Sequence, residues 1–370
     1  MHKKKILIVS RSFYPENTPR SFRTTELAKE FCRQGHEVTV YTIKDEKEHP
    51  PLEKEFGMVI KSIGQLKFKP IDINAKNKLL YLFKRGLSRL LLMFAEYPNI
   101  ELMFMVKRAL KNENGYDLLI SIAVPHPVHW GVAWARTKKN PIAKTWVADC
   151  GDGYMLELAH DTFKKLFYFK YLEKWFCRKA DYISIPNISL KGNYYPEFWN
   201  KIVDIPQGFV FEEVQVKNPV VNNPVPTFAF AGIFMRTTRN PSQLLDFLIS
   251  TNRDFRFIVY TRTADLLLPY MAVLKDKLEI RNFIKREVLI KELSTFDFLI
   301  NIGYDPSNHI PSKLIDYYLS GRPVLSQETN EVNKKVVEEF LDGNYSNGFK
   351  FVDMDRFRIE NVCRKFLALP

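Results

Sequence analysis

A doubly wound α/β fold in two domains is the expectation for this chain, and three observations carry it. Strand-like and helix-like segments alternate along almost its whole length. Its 370 residues exceed what one hydrophobic core usually serves. A Pro- and Asn-rich break without periodicity, KNPVVNNPVP at Lys217 to Pro226, divides the series in two.

The elements follow in order. Ile6 to Val9 is an unbroken apolar run and reads as a buried first strand. The basic start MHKKK resembles a secretion signal, but the apolar run is short and Arg11 follows it, so the strand reading is kept. Ser21 to Gln34 reads as a helix stopped by Gly35, and Val38 to Thr42 as the next strand. Leu118 to Ile122, Lys144 to Ala148 and Tyr182 to Ile185 continue the strands. After the break, strands are expected at Thr227 to Ala231, Phe255 to Tyr260, Phe298 to Ile302 and Pro323 to Ser326, with helices between. Domains are therefore expected at 1–208 and 227–370, joined by a linker at 209–226. Two such Rossmann-like halves are expected to face each other across a cleft, with ligands at the carboxyl ends of the strands.

Composition narrows the function classes. Apolar residues at 46% and charged residues at 26% are ordinary globular values. The net charge of +13 points to an anionic partner: nucleic acid, a phosphorylated substrate or an acidic membrane surface. No basic strand interleaved with stacking aromatics occurs, which sets nucleic acid aside. Cys32, Cys150, Cys177 and Cys363 lie far apart and form no CxxC pair. Neither a zinc site nor a disulfide framework is therefore expected, and a reducing cytoplasm fits. No run is long and uncharged enough to predict a transmembrane helix. Ala75 to Ala95 stands apart. Leu79, Leu80, Phe83, Leu87, Leu90, Leu91 and Phe94 share one helical face, with Lys78, Arg85 and Arg89 opposite. Two readings apply: a packed helix with a solvated basic face, or a helix lying on an anionic membrane surface, which would place the protein at the inner membrane face.

One segment carries more chemistry than a core helix needs. In IPSKLIDYYLSGRPVLS, Pro311 suits the first helical position and Gly321 the residue past the end. A helix start offers free N–H groups and roughly half a positive charge, to which Ser312 and Lys313 add a hydroxyl and a cation. Asp316, one turn on, is suited to accept hydrogen bonds from sugar hydroxyls.

Five stretches in order resemble the retaining GT-B glycosyltransferases of family 4, especially bacterial surface-polysaccharide members. They are FYPENTPRSFRTTELAKEFCRQGHEVTVYT from Phe13, SIAVPHPVH from Ser121, ADCGDG from Ala148, FAGIFMRTTRNP from Phe230, and PSKLIDYYLSGRPVL from Pro311. The resemblance implies a GT-B fold. It also implies transfer of a sugar from a nucleotide-sugar donor to a saccharide or lipid-linked acceptor, with retention of configuration. The donor diphosphate is expected to meet Arg236 and Arg239, then Pro311, Ser312, Lys313 and Asp316, with the nucleotide base near Ile284 and Lys285. His126 is expected beside the reacting sugar, with His129 as a neighbour to tell apart from it, and Asp152 as an acceptor-side acid or base. Glu16, Asn17, Arg20, Arg23 and Asp149 are the expected acceptor-side contacts, Arg20 and Arg23 standing in for the glycines that the first loop lacks. No metal and no cofactor is expected, because cations and a helix terminus meet the diphosphate charge. The motif departs from the family at Asn308, where an acid is usual. Two alternatives therefore stand beside the transferase: a non-catalytic nucleotide-sugar-binding homologue, and a nucleotide-sugar epimerase of the same fold.

Overall fold

The structure, a computed structural model, describes residues 2–74, 77–156, 165–212, 214–216, 221, 223–303, 312–329 and 331–370, with Ser312 described by its backbone. The chain forms two units, residues 1–209 with 356–370 and residues 210–355. Residues 356–370 thus join the first unit, whereas the sequence assigned the whole of 227–370 to the second domain. The reason is packing: the last helix presents an apolar face that the first unit covers, as described below.

In chain order the first unit holds β1 (Lys5–Ser10), α1 (Pro19–Arg33), β2 (Glu37–Thr42), α2 (His49–Phe56), β3 (Val59–Ser62), α3 (Lys78–Ala95), α4 (Glu101–Ala109), β4 (Tyr116–Ala123), α5 (Pro127–Ala135), β5 (Ala143–Cys150), α6 (Phe169–Lys179), β6 (Tyr182–Ile185) and β7 (Ile202–Asp204). The second holds β8 (Thr227–Ala231), α7 (Ser242–Ser250), β9 (Arg256–Tyr260), α8 (Leu268–Leu274), β10 (Leu278–Arg281), α9 (Arg286–Leu293), β11 (Phe298–Ile302), α10 (Ser312–Leu319), β12 (Val324–Gln327) and α11 (Lys334–Leu341). The closing α12 (Ile359–Leu367) belongs to the first unit.

Both sheets are parallel throughout, in the orders β3-β2-β1-β4-β5-β6-β7 and β10-β9-β8-β11-β12. Ile6 to Val9 are fully buried, as a central strand covered on both faces requires. The strands β3, β7 and β10 were not expected from sequence. They are short, and β3 and β7 are only partly buried, so their apolar signal is weak.

Helix starts use local chemistry. Thr18 caps α1 by accepting from the Ser21 N–H at 3.2 Å, and Pro19 occupies the first turn. In the second unit, the two-residue side-chain period builds both layers. Phe228 and Phe230 enter one apolar cluster with Phe257, Phe298 and Phe340, whereas Ala229 and Ala231 face another with Leu299, Leu314 and Tyr317. The Phe228 ring stacks on Phe257 at 5.0 Å and on Phe298 at 4.6 Å. Burying each such ring is worth about 1.5–3 kcal/mol.

One buried ion pair ties the first unit together. The Arg23 guanidinium donates to Asp149 at 2.6 and 2.7 Å and to the carbonyls of Pro206 at 2.6 Å and Ile205 at 3.2 Å. Asp149 also accepts from the Ser184 hydroxyl at 2.7 Å. The guanidinium lies 5.6 Å from the Phe366 ring of α12, which in turn meets Phe31 of α1 at 6.5 Å. Lys4 donates to the Leu367 carbonyl at 2.9 Å. These contacts draw α12 back onto α1 and β1.

Burial alone would raise the Asp149 carboxyl, but the Arg23 guanidinium outweighs it and holds the group below its ordinary range. A carboxyl depressed in the folded state stabilises the fold above its unfolded-state pKa, and that contribution is lost as pH falls through the folded value. Asp149→Asn, measured by chemical unfolding at neutral pH, should therefore lose about 3–5 kcal/mol, because Arg23 is left buried without its counter-charge. The same variant should show a shallower loss of stability on acidification than the wild type.

Candidate functional site

Each parallel sheet reverses its strand order once, next to β1 in the first unit and next to β8 in the second. Such a reversal opens a crevice at the carboxyl ends of the strands, where ligands bind in folds of this kind. Several of the expected site residues that the structure describes lie on loops at those two places.

In the second unit, β8 ends at Ala231 and runs into a hairpin closed by Met235 and Arg239, whose backbone groups pair at 3.0 and 3.2 Å. Arg236 is exposed near its tip, while Arg239 folds back over Gly303 at the end of β11. Gly303 has φ +130°, and a Cβ there would stand 3.0 Å from the Thr238 carbonyl and 3.2 Å from Cγ of Arg239. Glycine is required at this point both by its backbone angle and by the approach of the loop.

Helix α10 begins beside this loop. Its placement is set by Tyr317, whose hydroxyl donates to the Ile300 carbonyl at 3.1 Å and accepts from the Ala231 N–H at 2.9 Å. One phenol thus fastens α10 to the end of β8 and the middle of β11. A turn earlier, Lys313 lays its Nζ 4.7 Å from the Phe230 ring. That Nζ is buried and has no hydrogen-bond partner among the described residues. Burial first, and the positive charge of Arg239 second, lower its pKa to about 7. A drop of this size corresponds to roughly 5 kcal/mol for holding the charge there without a counter-ion.

Asp316 is already engaged: Arg286 of α9 donates to its Oδ1 at 2.7 Å from Nε, with Nη2 at 2.6 Å. Burial raises this carboxyl above its ordinary range, with the guanidinium opposing. Any sugar hydroxyl would meet a carboxylate oriented by Arg286. Ile284 and Lys285, exposed just before α9, are joined to α10 through the same link. The structure therefore brings Arg239, Lys313, Asp316 and the segment at Lys285 into one neighbourhood. Asn308, Pro311 and the Ser312 side chain lie outside the described residues.

In the first unit, His126 directly precedes α5, at the end of β4. It is buried, its ring lies 4.7 Å from Tyr154, and it is hydrogen-bonded to the backbone of Asp152. Burial, then His129 and Lys165, hold it well below the ordinary imidazole range, so it is neutral at physiological pH. His129 is different in kind. It sits 2.8 Å from the Ser121 hydroxyl and 3.4 Å from Cys150 Sγ, and burial lowers its pKa to about 3. Trp146 donates to that same hydroxyl at 2.8 Å, so Ser121 in turn donates to Nδ1 and leaves the Nε2 proton for the sulfur. His129 is a core residue.

The Asp152 side chain is exposed beside His126, and its carbonyl accepts from the Tyr194 hydroxyl at 3.2 Å. Arg20 reaches the same loop: a Cβ on Gly151 would lie 1.7 Å from its Nη2. The glycine missing from the first loop is thus found on the opposite side of the contact. Glu16 and Asn17 are exposed on the loop after β1. Two expectations are corrected. Arg23 and Asp149 do not face an acceptor; they are buried and bound to each other, because each neutralises a charge the core could not otherwise hold.

Sequence reasoning missed Tyr154, Arg286 and Tyr317. Tyr317 lies four residues after Lys313 on the same helical face, a spacing that could have pointed to it. Glu173, which reaches the backbone of Tyr154 and Met155, was also missed; burial raises its pKa to about 8. Among the described residues no group of three His, Cys, Asp or Glu side chains is arranged to hold a metal ion.

No protein-family model matches the chain. No curated protein matches it either. Solved structures do. A glycosyltransferase from Rickettsia africae aligns with TM-score 0.58 at 13% identity, over 99% of this chain and 94% of that one. The lipopolysaccharide outer core galactosyltransferase WaaB in its apo form gives 0.57 at 12%, over 98% of both chains. HepE from Anabaena, in complex with UDP-glucose, gives 0.54 at 11%, again over 98% of both. The first two of these neighbours are named as a glycosyltransferase and a galactosyltransferase, and this chain shares their GT-B fold of two parallel-sheet, Rossmann-like domains.

The Lys313 geometry has a measurable consequence. An anion that restores the ammonium must bring about proton uptake at pH values between about 7 and the raised pKa of the complex. Calorimetric titration with inorganic pyrophosphate at pH 8, in buffers of differing ionisation enthalpy, should show most of one proton taken up at Lys313, over and above any proton exchanged by the pyrophosphate itself. Lys313→Met should abolish that uptake.

Proposed function

We propose that the protein is a glycosyltransferase that moves a sugar from a nucleotide-sugar donor to a saccharide or lipid-linked acceptor, with retention of configuration, in surface polysaccharide or O-antigen assembly. The observation that carries this reading is Lys313: a buried cation without a hydrogen-bond partner among the described residues, next to Arg239, at the first turn of a helix that starts at the sheet's reversal point. A lysine held this way is a stability cost in the free protein, and a ligand that brings negative charge repays it. The neighbour HepE was solved with UDP-glucose and WaaB is named a galactosyltransferase, which supports a sugar diphosphate as that ligand.

In this mechanism Arg239, Lys313 and the amino end of α10 stabilise charge as it develops on the departing diphosphate. Asp316, oriented by Arg286, receives ribose hydroxyls, and the base lies along Ile284 and Lys285. The acceptor hydroxyl attacks on the face that the diphosphate leaves, and a phosphate oxygen takes its proton. His126, being neutral, serves as a hydrogen-bonding group to a sugar, with Asp152 and Arg20 beside it. No metal is required in this scheme, because the cations meet the charge.

The experiment is donor turnover across a panel of nucleotide-sugars, with product anomers read by NMR. Slow hydrolysis with retained configuration is expected, unchanged by added chelator. Nucleotide binding without turnover would favour the non-catalytic homologue, and interconversion of free donors the epimerase. Arg239→Ala should lower kcat by roughly 10²–10³, the usual effect of removing one stabilising donor. Lys313→Met should lose activity to a similar degree while melting at a higher temperature at neutral pH, since the uncompensated charge is gone.

A further inference from the structure

Helix α3 has no buried residue along its 18 positions, KLLYLFKRGLSRLLLMFA. Leu79 is 77% exposed, Phe83 66%, Phe94 53% and Leu90 50%. Winding this sequence at about 100° per residue places Leu79, Leu80, Phe83, Leu87, Leu90 and Phe94 on one arc of about 100°, a little over a quarter of the circumference. Lys84 stands at one margin of that arc and Arg89 at the other, with Lys78 and Arg85 beyond it, and the helix contains no acid. Among the described residues nothing buries this apolar face, which favours the interfacial over the packed-helix reading.

The surroundings continue the pattern. The Tyr168 hydroxyl donates to the Phe94 carbonyl at the end of α3. Next to it Phe167 is 69% exposed, and the exposed Tyr171 lies under Lys170 at 4.9 Å. Aromatic rings and cations at one helix end are the composition of a membrane-interface belt. The helix is also firmly attached. Glu96, which ends it with φ 51°, is buried and accepts from the Tyr154 hydroxyl at 2.9 Å and from Lys165. Tyr154 is the ring beside His126.

We propose that α3 lies in the interface of an anionic lipid bilayer, its apolar arc among the acyl chains and its flanking cations among the headgroups. At about 1.5 Å per residue the helix is near 27 Å long, a substantial apolar surface to lay on a bilayer. No helix among the described residues is long and apolar enough to cross a membrane, which fits a helix lying in the plane. A second copy of the chain is the poorer occupant. It would bring the same cations against the same margins, in a chain whose net charge is already +13. An anionic surface answers both the apolar arc and its charged edges. The anchor does not depend on the transferase reading. On that reading, however, the link through Glu96 and Tyr154 ties the anchor to the acceptor-side residues and selects the lipid-linked acceptor over the soluble saccharide.

Co-sedimentation of the full chain tests this, using vesicles of phosphatidylcholine alone and of phosphatidylcholine with phosphatidylglycerol in roughly equal parts. Binding should favour the anionic vesicles by at least about tenfold and weaken with salt. Reversing Lys78, Lys84 and Arg85 to Glu together should cost on the order of 10²-fold or more on those vesicles, at about fivefold for each cation lost. Leu79→Ser with Phe83→Ser and Leu90→Ser should abolish binding to both, with the melting temperature and donor hydrolysis in solution unchanged. Equal binding to both vesicle types, or none, overturns the proposal. So does a wild-type dimer that the apolar variant converts to monomer, which would assign α3 to a second copy. Vesicle binding without any donor turnover would sink the transferase reading and leave the membrane helix standing.

Discussion

Within each sheet every described strand runs parallel to its neighbours, and each sheet reverses its order once. That topological constraint governs where anything can bind. Parallel strands need crossover helices on both faces, so the faces are closed and only the carboxyl edge carries free loops. At the reversal, successive crossovers leave to opposite sides and the edge opens. The loop after β8, Gly303 after β11 and the start of α10 meet at one such opening. The loop after β1 and His126 after β4 lie at the other, with the loop after β5 on the neighbouring strand. Chemistry-bearing side chains far apart in sequence become neighbours through this reversal.

Within that frame, buried charges are treated in two different ways. Arg23 and Asp149 are compensated in full, by each other, by Ser184 and by two carbonyls. Nothing is left over with which to hold a ligand, and their task is to lock α1, β5 and the chain leading out of β7. Lys313 is the opposite case. Its cation rests on an aromatic face and near another cation, with no hydrogen bond among the described residues. A core would replace such a lysine with an apolar residue at a gain in stability. The contrast extends to histidine: His129 is held at both ring nitrogens by side chains of the core, while the buried His126 is hydrogen-bonded to the backbone of Asp152, whose side chain is exposed.

The residues that could be found from sequence were those whose signal is local. The strand at Ile6 to Val9 announced itself by an unbroken apolar run, and α1 by its glycine stop, although its start was placed at Ser21 and the cap at Thr18 came from the structure. The start of α10, with Lys313 and Asp316 a turn apart, was legible because helix geometry alone puts them on one face. What stayed hidden was pairwise and distant. Arg286 orients Asp316 from thirty positions away, and Arg23 meets Asp149 across 126. Spacing could not reveal either partner. Arg20 and Arg23 are three residues apart on one helix and looked equivalent, yet one lies on Gly151 and the other enters the core.

The amino-acid sequence by itself determined the element series, the two-domain division, the basic character and the helix termini, because these depend on backbone propensity, hydrophobic period and charge count. Tertiary structure alone decided which charges are neutralised and which are kept waiting, that the final helix closes the first unit rather than the second, and that α3 is left with its apolar face uncovered. The physical reason is common to all three. Burial and desolvation depend on what comes to lie against a side chain in space, and no window along the chain contains that neighbour.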